Sequence, residues 1–211
     1  PVVLCNFIPS YVFEEKCESD PQVSFGEKII RIYPPLLRNA PKSCQGNKDI
    51  VLEAVRRNGL LLSCASEQLQ LDQEVVVAAI LRRPAAIQYS PLRNDKDFLM
   101  NKAISIHAET VHYSEKLKKD REVALLAVSK NGLALQYLLD NFANDFDINL
   151  RAVMNNGLAL QYCNSQFQNT KVIVLEAVHQ NGNALRYANQ QLQADKDVSL
   201  MAVKSKRSEE R

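Results

Sequence analysis

Three histidines, five cysteines and a series of evenly spaced carboxylates are the side chains that could carry chemistry in this sequence. His107, His112 and His179 make no i, i+4 pair and no HExxH occurs, so a zinc site is not expected. Cys5, Cys17, Cys44, Cys64 and Cys163 are odd in number and lack a CxxC, and spacings of 12, 27, 20 and 99 match no zinc or disulfide framework. Cys5 and Cys17 could pair only if the N-terminal segment is an element of its own. Cys64 and Cys163 sit at or beside positions held elsewhere by Tyr and read as small buried hydrophobes. This usage suits a cytoplasmic-type reducing compartment. No GxxxxGK[ST], GxGxxG or GxSxG is present, and no Ser or Cys has a recognisable base. The expectation is a chain with no catalytic residue, no metal ligand and no cofactor.

The carboxylates instead mark helix starts. Asp72, Asp95, Asp120, Asp145 and Asp195, with Thr170, each precede an apolar run, where a cap side chain accepts from free backbone N–H groups. A second acid two residues later (Glu74, Asp97, Glu122, Asp147, Asp197) suits the first turn of a helix dipole. Apolar residues follow at offsets three, five, seven and eight from the cap, as in Ile148, Leu150, Ala152 and Val153, a helical stripe buried on more than one side. Asn-Gly pairs at 58–59, 131–132, 156–157 and 181–182 close these helices, and a left-handed glycine past the C-cap is the expected reason. The stretch after each glycine, such as Leu158–Phe167, reads as a second helix of about eight residues with a 3₁₀ end.

The pattern repeats every 25 residues, with one unit of 23 from Asp72 to Asn94. Six full units, from Asn47 onward, are followed by a half unit at 195–203. Pro84 fills the glycine slot in one unit, and either His107 or Ala108 fills it in the next. Stepping back 25 residues places Pro34 under Gly59 and Ala40 under Ala65, a worn repeat before the array. Helices this short stand only by stacking on neighbours. The expected fold is all-α, a right-handed-type α-solenoid of short helix-turn-helix repeats with period 25. Its expected organisation is an N-terminal cap region with a degenerate repeat (1–46), the array (47–203) and a charged tail (204–211).

The run D-x-E-V-V-L-x-A-V-x-x-N-G-x-A-L-x-Y-A, whose Asn-Gly motif four units carry in full, resembles the domain-of-unknown-function 4116 repeats found in effectors of intracellular bacteria and in giant-virus and protist proteins. The resemblance covers residues 47–203. It implies a helical scaffold for protein interaction inside a host cell, and brings no catalytic site with it. The function expected is therefore a non-enzymatic protein-interaction scaffold, a secreted bacterial effector or effector domain that binds a host or bacterial protein. The alternative is a targeting or regulatory module of a larger enzyme.

Charge agrees with a protein partner. Lys and Arg total 26 against 24 Asp and Glu, balanced along the chain, so no basic stripe marks a nucleic-acid binder. No stretch reaches the length of a membrane span or fits a signal peptide. The sequence opens on Pro1, so a trimmed chain is expected, any targeting segment having been removed. Tyr89, Tyr113, Tyr137, Tyr162 and Tyr187 recur at one place and read as a ladder of core aromatics with hydroxyls at the rim. Gln88, Gln136, Gln161 and Arg186, with Ser63 in the first unit, stand immediately before that line. These long polar side chains are the candidate protein-binding residues, with the loops carrying Asn144 and Asn169, or residues 1–46 outside the regular array, as the second choice.

Overall fold

Six long helices take up the first half of successive repeats: Lys48–Arg57, Gln73–Arg82, the interrupted helix 96–106, Arg121–Lys130, Phe146–Asn155 and Lys171–Gln180; Lys196–Glu209 follows them. In this computed structural model the described residues are 16–17, 20–24, 30 and 32–209. The caps form as their chemistry requires. Asn47 and Asp72 each accept from two backbone N–H groups of the first turn, as do Asp120 and Asp195, and Asp95 and Asp145 from one. Thr170 is the exception: its hydroxyl donates to the Gln166 carbonyl at 2.8 Å and caps nothing. Burial falls at offsets three, four, seven and eight, as in Val75, Val76, Ala79 and Ile80, while the offset-five leucines are mostly half-buried. The offset-four position takes Asn149 in one repeat, and its amide satisfies the carbonyls of Phe142 and Asp145 at 3.0 and 2.8 Å.

The second half of each unit is not one helix of eight residues. It is a six-residue 3₁₀ helix (Gly59–Cys64, Pro84–Tyr89, Ala108–Tyr113, Gly132–Tyr137, Gly157–Tyr162, Gly182–Tyr187) followed by a separate turn of helix such as Ser165–Gln168. Asn serves both sides of the junction. Asn156 is extended (φ −145°, ψ 108°), its N–H closes the long helix onto Ala152, and its side chain accepts from Leu158 to start the 3₁₀ helix. The left-handed glycine expected at this junction is absent: no described glycine has positive φ. Space is the reason for glycine. A Cβ on Gly59, Gly132 or Gly157 would lie 2.2–2.3 Å from the carbonyl oxygen of Ala79, Ala152 or Ala177, twenty residues on, in the next repeat's long helix.

Side chains of the next repeat stitch the same junction. Asn155 Oδ1 accepts from the Gly132 N–H at 2.7 Å while its Nδ2 donates to the Ser129 carbonyl at 2.9 Å. Ser205 does both for Gly182 and His179, and Gln180 accepts from Gly157 at 2.6 Å. Each pair of bonds satisfies an orphan carbonyl at a helix C-terminus and an orphan N–H at the start of the next. Pro34 and Pro84, in the same slot, have no N–H to satisfy.

The irregular unit has a local cause. Lys96–Phe98 runs into a π-turn at Leu99–Ala103 and resumes as α at Ile104–Ile106, eleven residues where the other interior repeats use ten. The added residue sets Ala108 in the glycine slot and recovers part of the two residues missing before Asp95. The chain divides into two compact units here, Pro1–Phe98 and Leu99–Arg211. The worn repeat is real at the slot level: Pro34 opens a 3₁₀ helix, Pro34–Asn39, and Ile30 and Ala40 are buried. Before it lies a short antiparallel pair, Lys16–Cys17 with Asp20–Ser24, the only strands among the described residues. Cys5 lies outside the described residues.

Ion pairs join successive helix starts. Lys48 reaches Asp72 and Glu74 at 2.8 Å, Arg121 reaches Asp145 and Asp147, and Lys171 reaches Asp195 and Asp197. Where the cap is Thr170 and Val172 replaces the second acid, the preceding repeat carries Phe146 instead of a cation, with its ring 6.1 Å from that of Phe167. The hydrogen bond from each cation holds Asp72, Asp145 and Asp195 below the usual carboxylate range, and the bonds to Asp72 and Glu74 push Lys48 up to about 12. Depressed carboxylates add stability that is complete above their ordinary 3.8 and is lost as pH falls through the lower folded values. The Lys48 contribution is complete below 10.5 and is lost as pH rises toward about 12.

Two outcomes are expected. Gly157→Ala and Gly157→Asn both destabilise by about 1–3 kcal/mol, as overpacking does, lowering Tm by about 2–4 °C per kcal/mol in a chain of this size. A left-handed glycine would instead tolerate Asn, so thermal melts of the pair separate the two causes. Replacing Asp72, Asp145 and Asp195 together by Asn keeps good caps but removes the charge. Thermal melts across the acid range then show a shallower loss of stability below about pH 4 than the wild type shows.

Candidate interaction site

A 3₁₀ helix turns every three residues, so its first and fourth side chains eclipse, as do its second and fifth. In these helices positions one, three and four are mostly buried, as Gly157, Ala159 and Leu160 show. The fifth position is therefore turned outward. Ser63, Gln88, Gln136, Gln161 and Arg186 are all exposed there. His112 holds the same position in the repeat whose slot is Ala108, and sequence reasoning missed it because the choice between His107 and Ala108 decides the register. Gln88 belongs to the first compact unit; His112, Gln136, Gln161 and Arg186 occupy successive repeats of the second.

The backbone under this line is tied down from both sides. A glutamine two residues before the next cap donates to the carbonyls that end the 3₁₀ segment: Gln70 to Leu62 and Ala65 at 3.3 and 3.0 Å, Gln168 to Leu160 at 3.1 Å, Gln193 to Arg186 and Ala188 at 3.3 and 2.7 Å. Arg93 does this for Gln88. Asn144 and Asn169, the second-choice site, accept from Asn164 and Asn189 of the next repeat at 2.7 and 2.5 Å. Those loops are thus used to join repeats.

The tyrosines are not core residues. Tyr113, Tyr137, Tyr162 and Tyr187 are half-buried and Tyr89 is 37% exposed. They form a rim beside the polar line: the His112 ring lies 4.8 Å from Tyr137 and 5.1 Å from Tyr113, and the Arg186 guanidinium sits 4.9 Å over Tyr187. Burial, then the Glu109 carboxylate and the neighbouring phenols Tyr113 and Tyr162, push the Tyr137 phenol up. The line therefore offers amide, imidazole and guanidinium groups, with the imidazole and the guanidinium set against tyrosine rings. Such a surface can hydrogen-bond and stack on a peptide chain.

Elsewhere the reactive groups are dispersed. Among the described residues no cluster of three His, Cys, Asp or Glu could hold a metal. Cys44 and Cys163 are buried, Cys64 is half-buried, and none of the three is in a disulfide. Burial pushes the Cys163 thiol up to about 12, far from a reactive thiolate. No described helix is long and apolar enough to cross a membrane.

Fold and site together define a helical-repeat solenoid, each repeat of which presents an exposed polar side chain at the fifth position of its 3₁₀ helix. The chain belongs to the family described as a domain of unknown function, DUF4116, whose profile matches residues 27–70, 99–143, 120–168, 145–193 and 173–208. The unmatched stretch between the first two segments holds Pro84 and the shortened connection, yet has the same helix and 3₁₀ build. No curated protein and no solved structure matches the chain.

Thiol labelling of the native protein checks the buried core. Cys163 should stay unlabelled by iodoacetamide at neutral pH until the chain is unfolded, while Cys64 reacts in the native state.

Proposed function

We propose that this protein is a non-enzymatic scaffold that binds another protein along the exposed line of its 3₁₀ helices. One observation carries the proposal. In repeat after repeat the fifth 3₁₀ position is exposed and polar. A solenoid that fixes its main chain by stacking leaves such a line free to vary with the partner. In the second unit, His112, Gln136, Gln161 and Arg186 form the binding line; Gln88 and Ser63 hold the same position in the first. The family resemblance adds the setting, a bacterial effector or effector domain secreted into a host cell. That Cys44, Cys64 and Cys163 form no disulfide fits a reducing compartment of that kind.

The triple substitution Gln136→Ala, Gln161→Ala, Arg186→Ala tests the line. Each exposed change should alter stability by no more than about 0.5 kcal/mol, leaving circular dichroism and Tm near wild type. Capture from host-cell lysate, read by mass spectrometry, should retain a defined set of proteins on the wild type and lose it on the triple variant. Equal capture by both would move the site off this line.

A further inference from the structure

The helix Gln73–Arg82 has a feature that stacking does not explain. Val75–Leu81 is an unbroken run of seven apolar residues. Four of them, Val75, Val76, Ala79 and Ile80, are fully buried and supply the same core positions as in the other ten-residue helices. The remaining three, Val77, Ala78 and Leu81, lie on the outward side, and Leu81 is 61% exposed. At the Ala78 position the neighbouring long helices carry Glu53, Leu126, Arg151 and Glu176, side chains long enough to cover the surface beside them. At the Val77 position the others with a ten-residue helix carry leucine (Leu52, Leu125, Leu150, Leu175). Both truncations fall in one helix and open a furrow of about 350 Å³ against helix Lys48–Arg57.

Arg56, Glu74, Val77, Ala78, Leu81 and Arg82 line this furrow. Glu74 is already paired with Lys48 at 2.8 Å, so the two arginines set its charge. Arg83 adds a third cation at the end of the same helix, and Arg57, paired with Glu53, completes a cluster at two adjacent helix ends. The arginines alone have an ordinary explanation, because cations suit helix C-termini. The outward Val77, Ala78 and Leu81 have none in the fold. An apolar floor rimmed by cations fits one kind of occupant: a helix that lays a leucine-type stripe in the furrow and turns acidic residues toward Arg56, Arg82 and Arg83.

We propose that the furrow between helices Lys48–Arg57 and Gln73–Arg82 binds an acidic amphipathic helical segment of a partner protein, with Leu81 as the central apolar contact. This rests on the interaction-scaffold function and gives it the chemistry of a partner, at a surface separate from the 3₁₀ line. Charge complementarity selects the segment's sign, and the absence of covering side chains at Val77 and Ala78 gives it room.

The test uses the full chain and a fluorescein-labelled peptide of about 18 residues built from Glu, Ala and Leu, with leucines at i, i+3, i+4 and i+7. Two controls accompany it: the same peptide with Lys for Glu, and an isomer with its leucines dispersed around the helix. Fluorescence anisotropy should show saturable binding of the acidic amphipathic peptide alone, weakening with added salt. Leu81→Ser and Leu81→Glu should each weaken it about tenfold or more, as loss of a buried leucine contact does. Arg56→Glu should weaken it too. The Gln136, Gln161 and Arg186 triple variant should bind the peptide like wild type, so failure of the 3₁₀ line and failure of the furrow are read separately. Leu81 is exposed, so these variants keep the wild-type Tm. Equal binding of the dispersed isomer, unchanged affinity in Leu81→Ser, or no binding up to about millimolar peptide would each overturn the proposal. So would a wild-type dimer in sedimentation that Leu81→Glu dissociates, since a second copy would then be the occupant.

Discussion

Successive repeats meet where the backbone at a glycine rests on the carbonyl oxygen of an alanine twenty residues further along, and this approach sets the terms for the rest of each unit. At Gly59, Gly132 and Gly157 it needs a residue without a Cβ on one side and a small one on the other. Ala54, Ala79, Ala103, Ala127, Ala152 and Ala177 are buried at the corresponding place in their long helices, each accepting the N–H that closes the helix. Packing that tight leaves no water for the helix ends, so their polar groups must find protein partners. Asn155, Gln180 and Ser205 supply them from the following repeat. The period therefore cannot drift far, because spacings of twenty and twenty-three residues must both be met at the same junction.

Three repeats depart from that demand and carry a Cβ in the slot. Pro34 and Pro84 bring no N–H donor there, and Ala108 occupies it where a π-turn has added a residue to the preceding helix. The helix-start ion pairs vary in concert as well. Lys48, Arg121 and Lys171 each face two acids of the next repeat, and Phe146 appears where the next repeat offers Thr170 and Val172. These pairs are exposed and screened by salt, so they tune register more than they hold the stack together.

Function follows from what the stacking leaves unconstrained. The 3₁₀ helix is short, poorly bonded within itself and held at its C-terminal end by glutamine side chains, so its outward position is fixed in space but free in chemistry. That freedom is where a binding line can evolve without disturbing the core. The outer face of a long helix is less free, since long side chains usually cover it; the furrow at Val77 and Ala78 is the place where that cover is withdrawn.

The caps, the long helices, the 25-residue period, the Asn-Gly junctions and the exposed line at Gln88, Gln136, Gln161 and Arg186 were legible in the sequence, because each is a local pattern repeated often enough to stand out. The repetition also carried the worn repeat at Pro34, despite the loss of nearly every other matching residue. Tertiary structure alone decided why the glycines are there, since close approach to a carbonyl leaves no mark within the segment itself. It also decided that Thr170 does not cap and that the tyrosines are rim residues. It fixed Ala108 as the slot, and so placed His112 on the line. The glycine approach depends on residues about one repeat apart, whose meeting becomes visible only when the repeats are stacked, while the Thr170 bond to Gln166 and the π-turn before Ala108 are local choices that the side-chain types do not dictate.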